Sequence, residues 1–185
     1  VTITWNENAQ EDTYGYVIYV QNAAGSIVEL DQVFGISSTS YTYSPDVTVG
    51  PLTYSVAAFD SCFTSSIPST YQTSAKANVH TTVFLTRSLD ICNRTVQLNW
   101  SNYVGWPSVD RYEVYSKNNL GTWVLEGSTT GTSYTVDVID ALTYDFVIQA
   151  YSSLGAISFS NRVSIFIAAP NQPAFNYLRL ATVSN

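Results

Sequence analysis

The stretch Phe146-Val-Ile-Gln-Ala-Tyr151 decides the fold class, and it repeats an earlier stretch, Tyr54-Ser-Val-Ala-Ala-Phe59. Every second residue in each stretch is apolar and points to one face, which is the two-residue period of a half-buried β-strand. No window of the chain has a convincing helical period of 3.6 residues. Both stretches therefore predict strands with one face in a core.

Three further pairs of stretches repeat along the chain. They are Val1-Thr-Ile-Thr-Trp5 with Val96-Gln-Leu-Asn-Trp100, Gly15-Tyr-Val-Ile-Tyr19 with Arg111-Tyr-Glu-Val-Tyr115, and Ser40-Tyr-Thr-Tyr43 with Ser133-Tyr-Thr-Val136. The offset drifts between 92 and 96 residues, as expected for equivalent strands joined by loops of different length. The repeat predicts an all-β chain of two tandem antiparallel sandwiches of the immunoglobulin-like kind.

Turn residues between these stretches place the expected strands. In the first module they lie near 1–5, 14–21, 27–32, 39–43, 52–59 and 66–72; in the second, near 81–87, 94–100, 111–117, 122–126, 132–137, 142–151 and 159–168. The alternation also predicts two inward rows, which are Tyr14, Tyr16, Ile18 and Val20 in the first module and Tyr112, Val114 and Ser116 in the second.

The domain organisation follows from the repeat. Residues 1–77 are predicted to form a module that lacks its first strand, and residues 78–169 a complete module. Residues 170–185 are predicted to be a linker and the opening strand of a third module, because Pro170 and Pro173 interrupt strand pairing. The chain has no Met and opens and closes inside strand patterns, so we expect a fragment of a longer polypeptide.

Charge and hydropathy exclude two classes of partner. The net charge is −7 with only seven Lys and Arg, which leaves no clustered basic surface for nucleic acid. The longest apolar run, Val163 to Ala169, is too short for a membrane span. Charged residues make up only 11% of the chain, so Thr, Ser and Asn must cover the surface, as in many secreted β-rich modules.

These stretches resemble fibronectin type III domains. The family places a Trp at the end of its second strand, here Trp5 and Trp100, and a Tyr-x-Val-Tyr motif in its third, here Tyr112-Glu-Val-Tyr115. The sixth-strand motif corresponds to Tyr144-Asp-Phe-Val-Ile-Gln-Ala150. The resemblance implies that the Tyr144 hydroxyl bonds a nearby backbone group as a tyrosine corner. Leu52 stands at the equivalent position of the first module, which should lack that bond.

A narrower resemblance covers nearly the whole chain. Ser55-Val-Ala-Ala-Phe-Asp-Ser-Cys62, Asp90-Ile-Cys92 and Val96-Gln-Leu-Asn-Trp-Ser-Asn-Tyr-Val-Gly-Trp106 are similar to tandem modules of gliding-motility-associated bacterial surface proteins, which use type IX secretion. The resemblance implies a non-catalytic structural or interaction segment of a secreted cell-surface protein, linked to gliding or adhesion. Its implied partners are neighbouring domains of the same polypeptide and a surface glycan or protein.

The two cysteines fall one in each module, at positions where we expect adjoining ends of consecutive sandwiches to meet. We therefore predict an inter-module disulfide between Cys62 and Cys92, which an oxidising compartment permits. The alternative is two independent thiols that pack as small hydrophobes.

The sequence predicts no catalytic residue, no metal site and no cofactor, and hence no enzyme. His80 is the only histidine, it falls between the modules, and no Gly-x-Ser-x-Gly elbow accompanies it. One histidine and two cysteines do not supply a usual zinc ligand set. We expect His80 to be a surface or packed linker residue.

Four aromatic residues form a candidate ligand platform, because exposed rings stack on sugar faces. They are Trp106, Trp123, Tyr19 and Tyr115. On this interpretation the chain is a carbohydrate- or protein-binding module, attached to a polysaccharide-degrading enzyme. The alternative is that these rings pack against neighbouring loops or the adjoining module, while Trp5 and Trp100 lie in the cores.

Overall fold

The computed structural model describes residues 1–60 and 73–169, and the regular structure in those ranges consists of β-strands. In chain order they are β1 (Thr2–Thr4), β2 (Thr13–Gln21), β3 (Ile27–Phe34), β4 (Ser40–Thr42), β5 (Thr53–Asp60), β6 (His80–Thr81), β7 (Leu85–Asp90), β8 (Thr95–Trp100), β9 (Val109–Asn118), β10 (Val124–Thr129), β11 (Ser133–Asp137), β12 (Thr143–Ser152), β13 (Ile157–Phe159) and β14 (Val163–Phe166).

Each module is built from two antiparallel sheets. In the first module one sheet has the order β3-β2-β5-β6 and the other pairs β1 with β4. In the second module one sheet has the order β10-β9-β12-β13, with β14 also paired to β12, and the other has the order β11-β8-β7. The predicted fold class, two tandem antiparallel sandwiches, is confirmed.

The core of the second module lies between its two sheets. Val96 and Leu98 of β8 are fully buried against Phe146 and Ile148 of β12, in one cluster that includes residues of both sheets. The predicted inward row of β9 is confirmed, since its members are 4% exposed or less: Tyr112, Val114 and Ser116. Alternation along these strands fills the interior and leaves the polar set outside.

The inward row of the first module is only partly as predicted. Tyr16 and Ile18 are buried, but Tyr14 is 47% exposed, so its assignment to the core was wrong. The pairing of β2 with β5 shifts register between Thr13 and Gly15. An extra residue at such a shift turns its side chain to the opposite face, and no local signal in the sequence marks it.

Several predicted strands differ from the observed ones. The predicted strand at 66–72 lies outside the described residues. The predicted strand at 81–87 is replaced by β6 and by β7, which begins at Leu85, and the predicted strand at 159–168 is divided into β13 and β14. Trp100 is in the core as predicted, at 6% exposure, whereas Trp5 is only half-buried.

The tyrosine corner of the second module is confirmed. The backbone amide of Ile139 donates to the Tyr144 hydroxyl at 3.1 Å. At the equivalent position of the first module the Leu52 amide donates instead to Thr82 Oγ1 at 2.9 Å. Leu52 has no hydroxyl to form a corner bond, and its backbone is bonded to the segment that leads into the second module.

The two modules follow each other without an extended linker. β6 still pairs with β5 of the first module, through Tyr54 opposite His80. Val83 and Leu85, which follow directly, are each 1% exposed in the core of the second module. The predicted boundary after residue 77 stays a prediction.

Candidate functional site

The junction between the modules is held by backbone pairing. Thr81 donates its N–H to the Val104 carbonyl at 2.9 Å, and Val104 donates back to the Thr81 carbonyl at 3.2 Å. Thr82, one residue later, donates to the Leu52 carbonyl at 2.8 Å. The connecting segment is thus bonded alternately to both modules, which removes the free rotation of an ordinary linker.

His80 makes the principal side-chain contact at this junction. Its Nδ1 lies 2.6 Å from the Tyr103 hydroxyl, and the Tyr103 ring stacks on Trp106 with centroids 3.7 Å apart. Burial lowers the pKa of His80 and raises the pKa of Tyr103 to about 12. Both groups are therefore uncharged near neutral pH, and one hydrogen bond serves both.

Gly105 lets the junction loop approach His80 closely. Its φ is +119°, and a Cβ placed on it would lie 2.6 Å from His80 Nδ1 and 3.0 Å from His80 Cα. Any other residue would clash with the imidazole and would also be strained at that φ. The loop at 103–106 and the histidine thus form one packed unit.

Two clefts near the junction are both lined in part by β1. One, of about 570 Å³, runs from β1 to Phe84 and to the segment from Ile157 to Arg162. The other, of about 430 Å³, is walled by aromatic side chains: Trp5, Tyr54, Tyr103 and Trp106. Within the ranges described, no three His, Cys, Asp or Glu side chains group as a metal site.

The four predicted platform residues lie on four different elements, although Trp123, just before β10, and Tyr115 on β9 belong to neighbouring segments, with Leu125 opposite Tyr115. Trp106 lies in the junction loop, half-buried, where it packs on Tyr103 and against the second core. Trp123 precedes β10 and is 42% exposed, and Tyr19 lies on β2 with the Lys76 ammonium 4.1 Å from its ring centroid. In the described part of the chain no ring contact joins any two of the four.

Tyr115, the fourth, belongs to a polar network on the outer face of β9. Its hydroxyl donates to Glu113 Oε2 at 2.7 Å, and Arg111 Nε donates to Glu113 Oε1 at 2.9 Å. Burial acts to raise the pKa of Glu113, but hydrogen bonds from Tyr115, Tyr151 and Arg111 outweigh it, so that this pKa is lowered. The Tyr115 hydroxyl is thereby occupied within the protein.

The predicted disulfide is untested by the structure. Cys92 is exposed in the turn after β7 and forms no disulfide with any residue that the structure describes. Cys62 lies outside the described residues. The bond between them stays a prediction.

Sequence reasoning did not identify Tyr103 and Gly105 as junction residues. Both lie in the stretch from Asn102 to Trp106 that carries the family resemblance. Their partner, His80, is distant in the sequence and precedes Tyr103 by 23 residues. The sequence did contain one indication of this contact. The single histidine, His80, falls between the two modules, and a loop with a glycine and two aromatic residues follows in the second.

Comparison with known proteins adds the following. No protein-family model matches the chain, and no curated protein is similar to it. Among solved structures, the sixth fibronectin type III domain of human fibronectin type III domain containing protein 3 is 23% identical, with a TM-score of 0.41, and the match covers 51% of this chain and 89% of that one.

Two multi-domain segments match over most of this chain. The two-domain fibronectin type III segment of chicken tenascin is 16% identical, with a TM-score of 0.34 and 88% of each chain covered. The FN1–FN3 domains of chicken CNTN1 are 17% identical, with a TM-score of 0.36, and the match covers 91% of this chain and 61% of that one.

Strand order decides the assignment of the fold. In the complete second module, β8 lies between β7 and β11 in one sheet, and β9 and β12 are central in the other, with the tyrosine corner at the start of β12. Both modules have a fibronectin type III-like fold. The described parts of these fibronectin type III-like modules contain no helix that is long and apolar enough to cross a membrane.

Proposed function

We propose that this chain is a non-catalytic structural and interaction segment of a large secreted bacterial cell-surface protein. Its two modules act as a spacer of fixed geometry for neighbouring domains of the same polypeptide, in adhesion or gliding. The observation that carries the proposal is the junction, where backbone and side-chain bonds join the modules without a free linker.

The packing of the modules supports a mechanical role. The buried cores are filled with side chains: of the twelve largest fully buried side chains among the described residues, nine lie in the second module, including Tyr112, Phe146 and Leu98. Among the described residues that line the two junction clefts, no acid, base and nucleophile are grouped together. A spacer needs a defined angle between its units, and Thr81, His80 and Tyr103 supply the contacts that define one.

Small-angle X-ray scattering tests the spacer. The wild-type chain should scatter as one rigid particle, and Gly105→Ala should broaden the distribution of dimensions, because the new Cβ would displace His80. Gly131→Ala is the matched control, since its Cβ would meet only Thr129 Oγ1 at an ordinary 3.5 Å. A wild-type chain as flexible as Gly105→Ala contradicts the proposal.

Location is tested on intact cells that express the parent protein. An antibody raised against this chain should label the cells without lysis, and added protease should remove the label. Labelling that requires lysis would rule out the surface location while leaving the spacer geometry untouched.

A second candidate function is glycan binding, and the exposure of the β10 edge favours it. Trp123 is 42% exposed beside Val124 at 55% and Leu125 at 51%. An exposed ring next to apolar residues offers a stacking surface for a sugar ring. Titration with soluble polysaccharides should quench Trp fluorescence, and Trp123→Ala should abolish saturation, whereas Leu120→Ala, 78% exposed in the preceding turn, should not.

A further inference from the structure

The second module has a pair of polar side chains where the first module has apolar ones. Ser116 on β9 is only 4% exposed, and its hydroxyl donates to Oε1 of the half-buried Glu126 on β10. At the repeat offset of 96 residues, the corresponding residues of the first module are Val20 and Leu30. The same fold therefore forms with an apolar pair at this place, and the architecture does not require the polar one.

A β-bulge sets the position of Glu126. The pairing of β10 with β9 shifts register around Glu126, which is left as the extra residue of the bulged strand. β3 has the same shift against β2, with Leu30 as its extra residue. Bulges of this kind re-aim a side chain and are common beside functional sites. Both modules use the same bulge, but only in the second does it carry a carboxylate.

Ser116 and Glu126 line a cleft of about 480 Å³ at the side of the second module, between β10 and the loop after β11. Apolar and aromatic side chains form much of its wall: Val124, Val138, Ile139 and Tyr144. A cleft of this volume, with apolar walls and a few polar groups that converge, is typical of a ligand site. A polar pair at a position that suits apolar residues is likewise expected where a site needs it.

The charges around the cleft favour a cation. Glu126 forms no ion pair with any residue that the structure describes. Lys117 also lines the cleft, but alternation along β9 directs its side chain to the opposite face of the sheet from Ser116. Asp137, exposed at the end of β11, adds a second negative charge to the lining. A half-buried carboxylate without a counter-ion attracts a positively charged ligand.

The hydrogen bonding selects among cations. One carboxylate oxygen of Glu126 already accepts from Ser116, which hinders the two parallel hydrogen bonds that a planar guanidinium forms with a carboxylate. A divalent metal ion needs several oxygen ligands, and the described residues group no three His, Cys, Asp or Glu side chains. An ammonium needs one oxygen and an apolar wall for its stem, which Val124 and Val138 provide.

We propose that this cleft binds a primary ammonium group on an alkyl stem, with Glu126 as its counter-ion. The same chemistry belongs to a lysine side chain of a partner polypeptide and to a free alkylamine. Asn118 and Gly121 form one rim of the cleft, and their counterparts Asn22 and Gly25 are exposed although the second module follows the first. The site lies within one module, so it does not depend on the spacer geometry or on the surface location.

An NMR titration of the intact, ¹⁵N-labelled chain tests the site. At constant ionic strength n-butylamine should shift the amide signals of Ser116 and Gly121 saturably, with a dissociation constant on the order of a millimolar for so small a ligand. The alcohol n-butanol, which has the same stem without the charge, should not. Glu126→Gln should weaken binding of the amine about tenfold, because the amide keeps the bond to Ser116 but has no charge.

Glu11→Gln is the matched control for that variant. It makes the same change in net charge at an exposed position of the first module, so binding should stay within about twofold of the wild type. A blocked Gly-Lys-Gly peptide separates the two sources of the ammonium. If the peptide binds more tightly than n-butylamine, the ligand is a polypeptide lysine; if n-butylamine binds more tightly, it is a free amine.

A variant that copies the first module makes the test independent of folding defects. Ser116→Val combined with Glu126→Leu should lose binding of n-butylamine while its melting temperature stays at or above that of the wild type, because a polar pair is replaced by an apolar one. A wild-type chain without saturable shifts, equal binding of n-butanol, binding retained in the double variant, or equal losses in Glu126→Gln and Glu11→Gln would each overturn the proposal.

Discussion

The side chain of Asn161 pairs with the backbone of Leu85 as a second peptide group would. Leu85 N donates to Asn161 Oδ1 at 2.7 Å, and Asn161 Nδ2 donates to Leu85 O at 3.1 Å. The amide therefore connects the two sheets of the second module at the point where β13 ends and β14 has not begun.

Asn161→Ala should destabilise the second module by about 2–4 kcal/mol, because it leaves both Leu85 backbone groups without partners beside the core. Urea unfolding measures the change. Asn119→Ala is the control, since it removes only one exposed bond to Thr143 N at 3.2 Å, and it should cost less than about 1 kcal/mol. Equal costs would contradict the bridging role.

Gly15→Ala should destabilise the first module by about 3 kcal/mol or more. A Cβ at this position would lie 2.2 Å from the Val33 carbonyl oxygen and 2.8 Å from the Phe59 ring. Backbone on one side and a buried ring on the other leave no room to relax. Gly50→Ala is the control, because its Cβ would meet nothing within 4 Å, and it should leave the melting temperature unchanged. If Gly50→Ala also lowered the melting temperature, the cost would come from replacing glycine and not from a steric clash.

Tyr144→Phe should cost about 1–2 kcal/mol, because the Ile139 amide loses its partner in a half-buried corner. The phenyl ring preserves the packing, so the change isolates the hydrogen bond. Tyr41→Phe removes an exposed bond to Asp31 at 2.8 Å and should cost less than about 0.5 kcal/mol. If both variants unfold alike in urea, the corner contributes nothing specific.

The stability of the junction should fall in mild acid. Burial lowers the pKa of His80, so just below the ordinary value of about 6.5 the unfolded chain binds a proton that the folded chain does not. The stability that neutral His80 contributes is fully present above about pH 6.5. It is lost as the pH falls through the lowered pKa of His80 in the folded state. His80 is the only histidine, so its NMR titration is unambiguous.

His80→Gln provides the control for that measurement. The glutamine does not titrate, so the difference in unfolding free energy between wild type and variant should shrink from about pH 7.5 to about pH 5. Carboxylates titrate in both proteins and cancel. A difference that is constant with pH, or a His80 pKa above its ordinary value, would refute the junction assignment.

The sequence predicted strands well wherever each strand buries one face. The rows of Tyr112 and Val114 on β9 follow directly from a two-residue period, and the repeat placed the equivalent strands of both modules. The Tyr144 corner was predicted from the family motif. In each case the information is local, or is repeated 92 to 96 residues later in the chain.

The differences arose where a contact joins residues far apart in the chain. Asn161 divides the last predicted strand because of Leu85, 76 residues earlier. Tyr14 turns outward because β2 and β5 shift register. At the junction, the partnership of His80 and Tyr103 depends on how two modules meet, which neither module's pattern contains.

The alternate bonding of the connecting segment has an evolutionary consequence. His80 belongs to the register of β5, Thr81 is bonded to Val104, and Thr82 is bonded to Leu52. One inserted or deleted residue would put each of these groups on the wrong side, because the period is two. The two units are therefore expected to be duplicated, shuffled and inherited together, with gene rearrangements falling outside this boundary.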